Sequence, residues 1–177
     1  MNEHTTLGGG CYWCLEAIYQ RVTGVQAVVS GYSGGHLDNP TTPQVYTGAT
    51  GHAEVVQVTF DPAVITYREI LEIFFTMHDP TTLNRQGHDV GDYYRSVIFY
   101  HSDEQKNTAE DMTAHFAPNL WDDPIVTQLE KFDKFWPAGE DMQDFYNTNP
   151  YSGYCMAVIN PKVQKLRKQF SAKLKPE

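Results

Sequence analysis

Gly8-Gly9-Gly10-Cys11-Tyr12-Trp13-Cys14-Leu15-Glu16-Ala17 joins a short extended run to the first helix, and the remainder of the chain reads outward from that junction. Three consecutive glycines let the backbone turn sharply and approach a ligand closely, since no Cβ stands in the way. Leu15, Ile18 and Val22 then fall on one helical stripe together with Cys11. Cys11 is therefore expected where a glycine turn enters a helix. Unpaired N–H groups and the positive end of the helix dipole there favour thiolate over thiol. Two bulky aromatics follow at once, and Cys14 comes next on the same helical side. A buried structural cysteine is the plainer reading, but it fits that environment less well.

Thr5-Thr6-Leu7 reads as the strand that feeds the turn. A helix from about Tyr12 to Val22 is expected to end at Thr23-Gly24, where glycine can take the left-handed C-terminal position. Val25 to Ser30 reads as a strand. The loop that follows, Gly31-Tyr32-Ser33-Gly34-Gly35 and on through Pro40 and Pro43, is too rich in Gly and Pro for regular structure. Alternation along Glu54-Val55-Val56-Gln57-Val58-Thr59-Phe60 puts Val56, Val58 and Phe60 on one strand face with Glu54. A carboxylate aimed at an apolar layer loses hydration and its pKa rises. The competing reading is a surface glutamate just outside the strand.

Thr66-x-x-Glu69 is a capping box for a helix that buries Ile70, Leu71, Phe74 and Met77 and stops before Pro80. Gln86 to Asp92 is a glycine-bounded loop. Tyr93 to His101 reads as a strand with Tyr94, Ser96, Ile98 and Tyr100 on one face, and Ser102-x-x-Gln105 opens a helix to about Phe116. Pro124 to Leu129 reads as another strand. Asn160-Pro161 is expected to cap a last, basic helix spanning about 161–175, with Val163, Leu166 and Phe170 inward. Strands and helices alternate without a repeat or linker, so the pattern gives one domain over 1–177, of α/β or α+β class.

With 177 residues, 41% of them apolar and 20% charged, the chain has enough for one hydrophobic core. No run of 18 apolar residues exists, so no membrane span is expected, and Met1-Asn2-Glu3-His4 has neither the basic start nor the apolar stretch of a secretory signal. A cytoplasmic protein is the default. The net charge of −9 is uneven: six Lys/Arg stand against one acid from Asn160 onward, while the preceding body is strongly acidic. That argues against nucleic-acid binding, and the basic tail reads as a solvated helix face. Three cysteines, Cys11, Cys14 and Cys155, are no even structural set and point to redox or metal chemistry.

The pieces assemble into a chemistry. Cys11 offers a thiolate nucleophile, and Tyr12 and Trp13 an apolar wall suited to a methyl or thioether group. Glu54 is a candidate acid kept protonated near neutral pH, able to donate to a leaving oxygen. The Tyr94 hydroxyl can orient that oxygen, and Asp89 can extend the network. An oxidised Cys11 can condense with Cys14 or with Cys155, the ordinary fate of a sulfenic acid beside a thiol.

Gly10-Cys11-Tyr12-Trp13-Cys14-Leu15-Glu16, Gly31-Tyr32-Ser33-Gly34-Gly35, Gly51-His52-Ala53-Glu54-Val55 and Gln86-Gly87-His88-Asp89-Val90-Gly91-x-x-Tyr94-Arg95-Ser96 occur in order, and together they resemble the A-type peptide methionine sulfoxide reductases. The resemblance implies an α+β two-layer sandwich around a ferredoxin-like mixed sheet with extensive loops, and no cofactor. It implies attack of Cys11 on the sulfur of an S-configured methionine sulfoxide, free or in a protein. Tyr12 and Trp13 would hold the methyl group, Glu54 would protonate the oxygen, and Tyr94 and Asp89 would complete the network. Asn149-Pro150-Tyr151-Ser152-Gly153-Tyr154-Cys155 is similar to the family's resolving loop, which implies a first disulfide with Cys155 and recycling by thioredoxin. Nothing demands more than a monomer.

Two departures stand out. The family's tyrosine after Asn-Pro-Thr is replaced by Thr42, and Tyr46, four residues on, is the candidate replacement. The family's Tyr-His-Gln segment reads Asp141-Met142-Gln143, so only Gln143 carries over. Cys14 stands where many members have glycine, and it is a candidate direct or second resolver. A general thiol–disulfide oxidoreductase built on Cys11-x-x-Cys14 leaves Glu54 without a purpose. A metal module from the three cysteines and His52 has only half a zinc set in sequence, and Leu15 after Cys14 excludes c-type haem attachment. No metal is expected.

Overall fold

A computed structural model describes residues 1–176, so the last residue of the expected domain, Glu177, lies outside the described residues. In chain order the elements are β1 (Glu3–Gly8), α1 (Tyr12–Tyr19), β2 (Val25–Ser33), α2 (Thr42–Val45), β3 (Ala53–Phe60), α3 (Tyr67–Met77), β4 (Arg85–Gln86), β5 (Asp89–Val90), β6 (Val97–Tyr100), α4 (Asp103–His115), β7 (Gln128–Lys131), β8 (Phe135–Pro137), α5 (Phe145–Thr148) and α6 (Asn160–Gln169). Six strands form one sheet in the order β7-β6-β1-β3-β2-β8, in which β6 and β7 are parallel and the other neighbours antiparallel. β4 and β5 make a separate hairpin.

The period-2 pattern of β3 explains the layering. Val56, Val58 and Phe60 face the main core, where α1, α3, α4 and α6 pack, while Ala53 and Val55 face a small second cluster with Val97 and Phe99. Glu54 shares the first face, as the alternation predicts, and it is wholly buried, which rules out the surface-glutamate reading. The result is an α+β sandwich of two layers around a mixed sheet. Among the described residues no helix is long and apolar enough to cross a membrane.

Several boundaries differ from the sequence reading, each for a non-local reason. α1 stops at Tyr19 because Val22 pairs with Leu174 and Thr23 N–H donates to the Lys173 carbonyl, which pulls the expected last turn out of the helix. β2 runs on to Ser33, since Gly31-Tyr32-Ser33 is paired on both sides, by β3 and by β8. The expected strand from Tyr93 is shortened to Val97–Tyr100; Asp92–Tyr94 is a 3-10 turn, so Tyr94 does not alternate with Ser96 and Ile98. The strand expected at Pro124–Leu129 is shifted to Gln128–Lys131, with its register set against β6. Asn160 caps nothing. Its backbone is already helical, the helix runs on from a π-turn at Cys155–Ile159, and its side chain instead accepts from the Tyr146 hydroxyl. The wider turn opens the hydrogen-bond ladder just ahead of Pro161, which has no N–H to donate.

Candidate active site

Gly10 adopts φ +96°, and a Cβ there would lie 2.6 Å from the Gln86 side chain. Gln86 is itself clamped to Asp79, accepting its N–H at 2.9 Å and donating to its carbonyl at 3.0 Å, so the β4–β5 hairpin is fastened over the glycine turn. Only glycine satisfies both the left-handed backbone and this close approach. The turn delivers Cys11 to the N-cap position of α1, with an extended ψ of 129°, and Cys14 N–H donates to the Cys11 carbonyl at 3.1 Å. Cys11 is 8% exposed.

The expectation of a ready thiolate is corrected here. Burial pushes the Cys11 thiol well above its usual range, Glu54 and then Cys14 push it further, and the Trp13 N–H and Tyr154 hydroxyl only partly offset this. Desolvation of a nearly closed site outweighs the helix terminus. Cys11 therefore rests as a thiol next to an acid.

That acid is Glu54, the second residue of β3. Its Oε1 accepts the Tyr12 N–H at 3.0 Å, while Oε2 is buried with no hydrogen-bond partner among the described residues. Burial raises its pKa to about 7, and the Tyr12 N–H, the Tyr46 hydroxyl and the Cys11 thiol pull the other way. Tyr46 and Cys11 thus act on the carboxyl without closing a bond of ordinary geometry to Oε2. A half-protonated carboxyl with one oxygen unpartnered is a proton donor waiting for an acceptor.

Around this pair the structure brings most of the expected residues together. Tyr46 ends α2, and its ring lies 5.1 Å from Tyr93 and 6.3 Å from Tyr94. Burial raises the Tyr46 and Tyr94 hydroxyls, with Glu54 the next cause in both, so both stay protonated donors. Asp89 does not reach Tyr94 directly; its Oδ2 accepts the Tyr154 hydroxyl at 2.6 Å. Trp13 is half-buried and stacked on Phe145 at 3.6 Å, with Tyr154 edge-on at 5.7 Å. Tyr12 is closed off: its hydroxyl meets Tyr32 at 2.7 Å, and Tyr32 meets the Thr42 hydroxyl at 2.7 Å. Of the two expected wall residues, Trp13 alone is partly open.

Cys14 is buried within α1, its sulfur 3.7 Å from the Tyr154 hydroxyl. Cys155 begins the π-turn that packs on α1 and is fully buried. His52 spends both ring nitrogens on backbone, accepting from Gly35 N–H and meeting the Leu37 carbonyl. Gln143 pins the edge of β2, bonding both backbone groups of Ser30.

Sequence reasoning misses Tyr154, Phe145, Tyr32 and Glu16. Glu16 is buried and accepts the N–H groups of Asp144 and Phe145, which holds α5 and hence the ring stacked on Trp13. A carboxylate inside the apolar stripe of α1 is the available signal. A hollow of about 270 Å³ lined by Gln86, Asp89, Tyr154 and Lys162 flanks the site. A larger one, about 530 Å³ and lined by His36, His52, Phe99 and Trp136 among others, holds none of these residues.

A buried cysteine at a helix start, beside a carboxyl poised to give a proton and beneath a ring of hydroxyls, defines a thiol-dependent reductase of an oxygen-bearing substrate. The chain belongs to the peptide methionine sulfoxide reductase family, whose model matches residues 3–174. The peptide methionine sulfoxide reductase MsrA of Saccharolobus solfataricus is 55% identical over 173 residues, covering 98% of this chain and 97% of the relative. The reduced form of Mxr1 from Saccharomyces cerevisiae superposes with a TM-score of 0.75 at 34% identity, covering 87% of this chain and 89% of the other. Mxr1 in complex with Trx2 superposes with a TM-score of 0.51 at 28% identity over 81% and 84% of the two chains.

Proposed function

We propose that this protein reduces the S epimer of methionine sulfoxide, free and in oxidised proteins, to methionine. The buried Glu54 Oε2, unpartnered beside the Cys11 thiol, carries the reading. The sulfoxide sits with its methyl group against Trp13, and its oxygen under Tyr46 and Tyr94. Glu54 gives its proton to that oxygen. The carboxylate so formed takes the proton of the Cys11 thiol as the sulfur attacks. The S–O bond of the substrate breaks, the oxygen passes to Cys11 as a sulfenic acid, and the substrate leaves as the thioether, reduced by two electrons. Glu54 is again protonated. Tyr154 and Phe145 hold the indole of Trp13, and Asp89 holds Tyr154.

The sulfenic acid then becomes a disulfide with Cys155, directly or through Cys14, and thioredoxin reduces it. Mxr1 seated with Trx2 supports that partner. The chain works as a monomer in the cytoplasm. The decisive experiment supplies each epimer of a blocked methionine sulfoxide separately, with thioredoxin recycling and as a single turnover. Reduction of the S epimer alone, lost in Cys11→Ser, supports the reading; reduction of neither epimer by the wild type refutes it.

A further inference from the structure

Proceeding from that reading, we infer that Cys14, not Cys155, is the first thiol to meet the Cys11 sulfenic acid, and that it hands the disulfide on to Cys155. The geometry of α1 carries this. Cys11 is the N-cap and Cys14 the N3 residue, three positions apart and so neighbours on one side of the helix start. Cys11 makes no side-chain cap bond; the Tyr154 hydroxyl that acts on its sulfur also lies 3.7 Å from the Cys14 sulfur, so one hydroxyl faces both thiols. Its extended ψ of 129° takes it out of the regular helix, where a Cys-x-x-Cys bond would be strained. Both thiols belong to one element, the start of α1.

Cys155 is placed differently. It is fully buried at the head of the π-turn, and its N–H donates to the Ser152 hydroxyl at 3.2 Å. The neighbouring Tyr154 ties that turn to Asp89, with its hydroxyl against the Cys14 sulfur. The residue next to Cys155 in the chain thus already lies against the Cys14 sulfur. A π-turn inside a helix has a neighbouring α-helical arrangement available to it, which suits a segment that must shift. Lys162, on the wall of the adjoining hollow, acts on the Cys14 thiol against the effect of burial.

The steps balance. Cys11–SOH and Cys14–SH give a Cys11–Cys14 disulfide and water. The Cys155 thiolate then attacks the Cys14 sulfur, forming Cys14–Cys155 and releasing the Cys11 thiolate for a second sulfoxide. A dithiol of the thioredoxin class reduces Cys14–Cys155 and leaves as its own disulfide.

Wild-type enzyme mixed with excess S-sulfoxide, without reductant, is acid-quenched over a time course and its disulfides mapped by mass spectrometry, with methionine counted in the same samples. Cys11–Cys14 is expected first and Cys14–Cys155 afterwards. Cys155→Ser should stop at Cys11–Cys14, and in Cys14→Ser the sulfenic acid, trapped by a 1,3-dione, should live at least about tenfold longer. Cys14→Ala repeats the second measurement should the serine variant fold poorly. Appearance of Cys11–Cys155 ahead of Cys11–Cys14 in the wild type overturns the order, as does its formation in Cys14→Ser at the wild-type rate. Absence of methionine from the wild type strikes instead at the sulfoxide-reductase reading, since the methionine count does not depend on which disulfide forms.

Discussion

Glu54→Gln is the perturbation that most directly exposes how this site is built. The Glu54 carboxyl lies at about 7 in the fold against an ordinary value of 4.5. Between those values the unfolded chain has released its proton and the folded chain has kept it. The unfolded state binds fewer protons there, so stability is full below about 4.5 and falls as pH rises through 7. A tenfold difference in proton affinity between the two states is worth about 1.4 kcal/mol, so the ionised carboxylate costs the fold roughly 3 kcal/mol at pH 8. Glutamine accepts the Tyr12 N–H as Oε1 does and does not titrate. The difference in unfolding free energy between variant and wild type should therefore rise by roughly 3 kcal/mol in favour of glutamine between about pH 4 and pH 8. For a chain of this length that corresponds to roughly 6–12 °C in melting temperature. Paired urea titrations across the range, with the denaturant slope unchanged, measure it. The amide N–H₂ placed at Oε2 changes the difference by a constant, so the pH-dependent part is the test. A difference that stays flat, or that grows as pH falls, would refute the claim that burial raises Glu54.

Turnover should report the same group from the other side. Donation needs protonated Glu54, so single-turnover reduction should decline about tenfold per pH unit above about 7, and Glu54→Gln should lack that limb while running at least about 100-fold slower. Tyr46→Phe should slow methionine formation by roughly 10- to 100-fold with little change in melting temperature, because its ring lies at the half-open rim of the site; unchanged single-turnover kinetics would remove Tyr46 from the site. Glu16→Ala strips the N–H groups of Asp144 and Phe145 of their acceptor, and should cost about 1–3 kcal/mol in urea titrations and raise KM through the loosened Trp13 stack. An unaltered KM would cut that link.

Where local rules decide a feature, it is legible in the chain. The Thr66-x-x-Glu69 box forms as written, with Thr66 accepting the Glu69 N–H and Glu69 the Thr66 N–H. The alternation through β3 places Glu54 correctly on the core face. What the sequence hides depends on partners far along the chain. Gly31–Ser33 looks like loop because glycine and serine are weak strand formers, yet double pairing overrides propensity there. Tyr94 reads as strand because aromatic and β-branched residues dominate from Tyr93 to Tyr100, and the turn begun at Gly91 takes Tyr94 out of that run. The thiolate expectation fails because it weighs a helix terminus, which is local, without the burial around Cys11, which is not.

Thr42 and Tyr46 show how a departure from a family pattern is absorbed. One helical turn separates them, so both hydroxyls project from the same side of α2. Thr42, in the place of the family's tyrosine, turns its hydroxyl to Tyr32, which stands opposite Glu54 across the strand pair and bonds Tyr12 in turn. That chain of three hydroxyls fixes both the first residue of α1 and the start of α2. α2 then presents Tyr46 to Glu54 from its far end. In the proposed mechanism Tyr46 supplies the hydroxyl missing at position 42, since four residues along a helix return to the same face. Thr42 also gives the buried Tyr32 a second hydroxyl partner beside Tyr12, so that neither phenol is left as an unpaired buried donor, which would cost about 1–3 kcal/mol. One surface of α2 thus carries both the supporting hydroxyl of Thr42 and the Tyr46 hydroxyl that is proposed to hold the substrate oxygen.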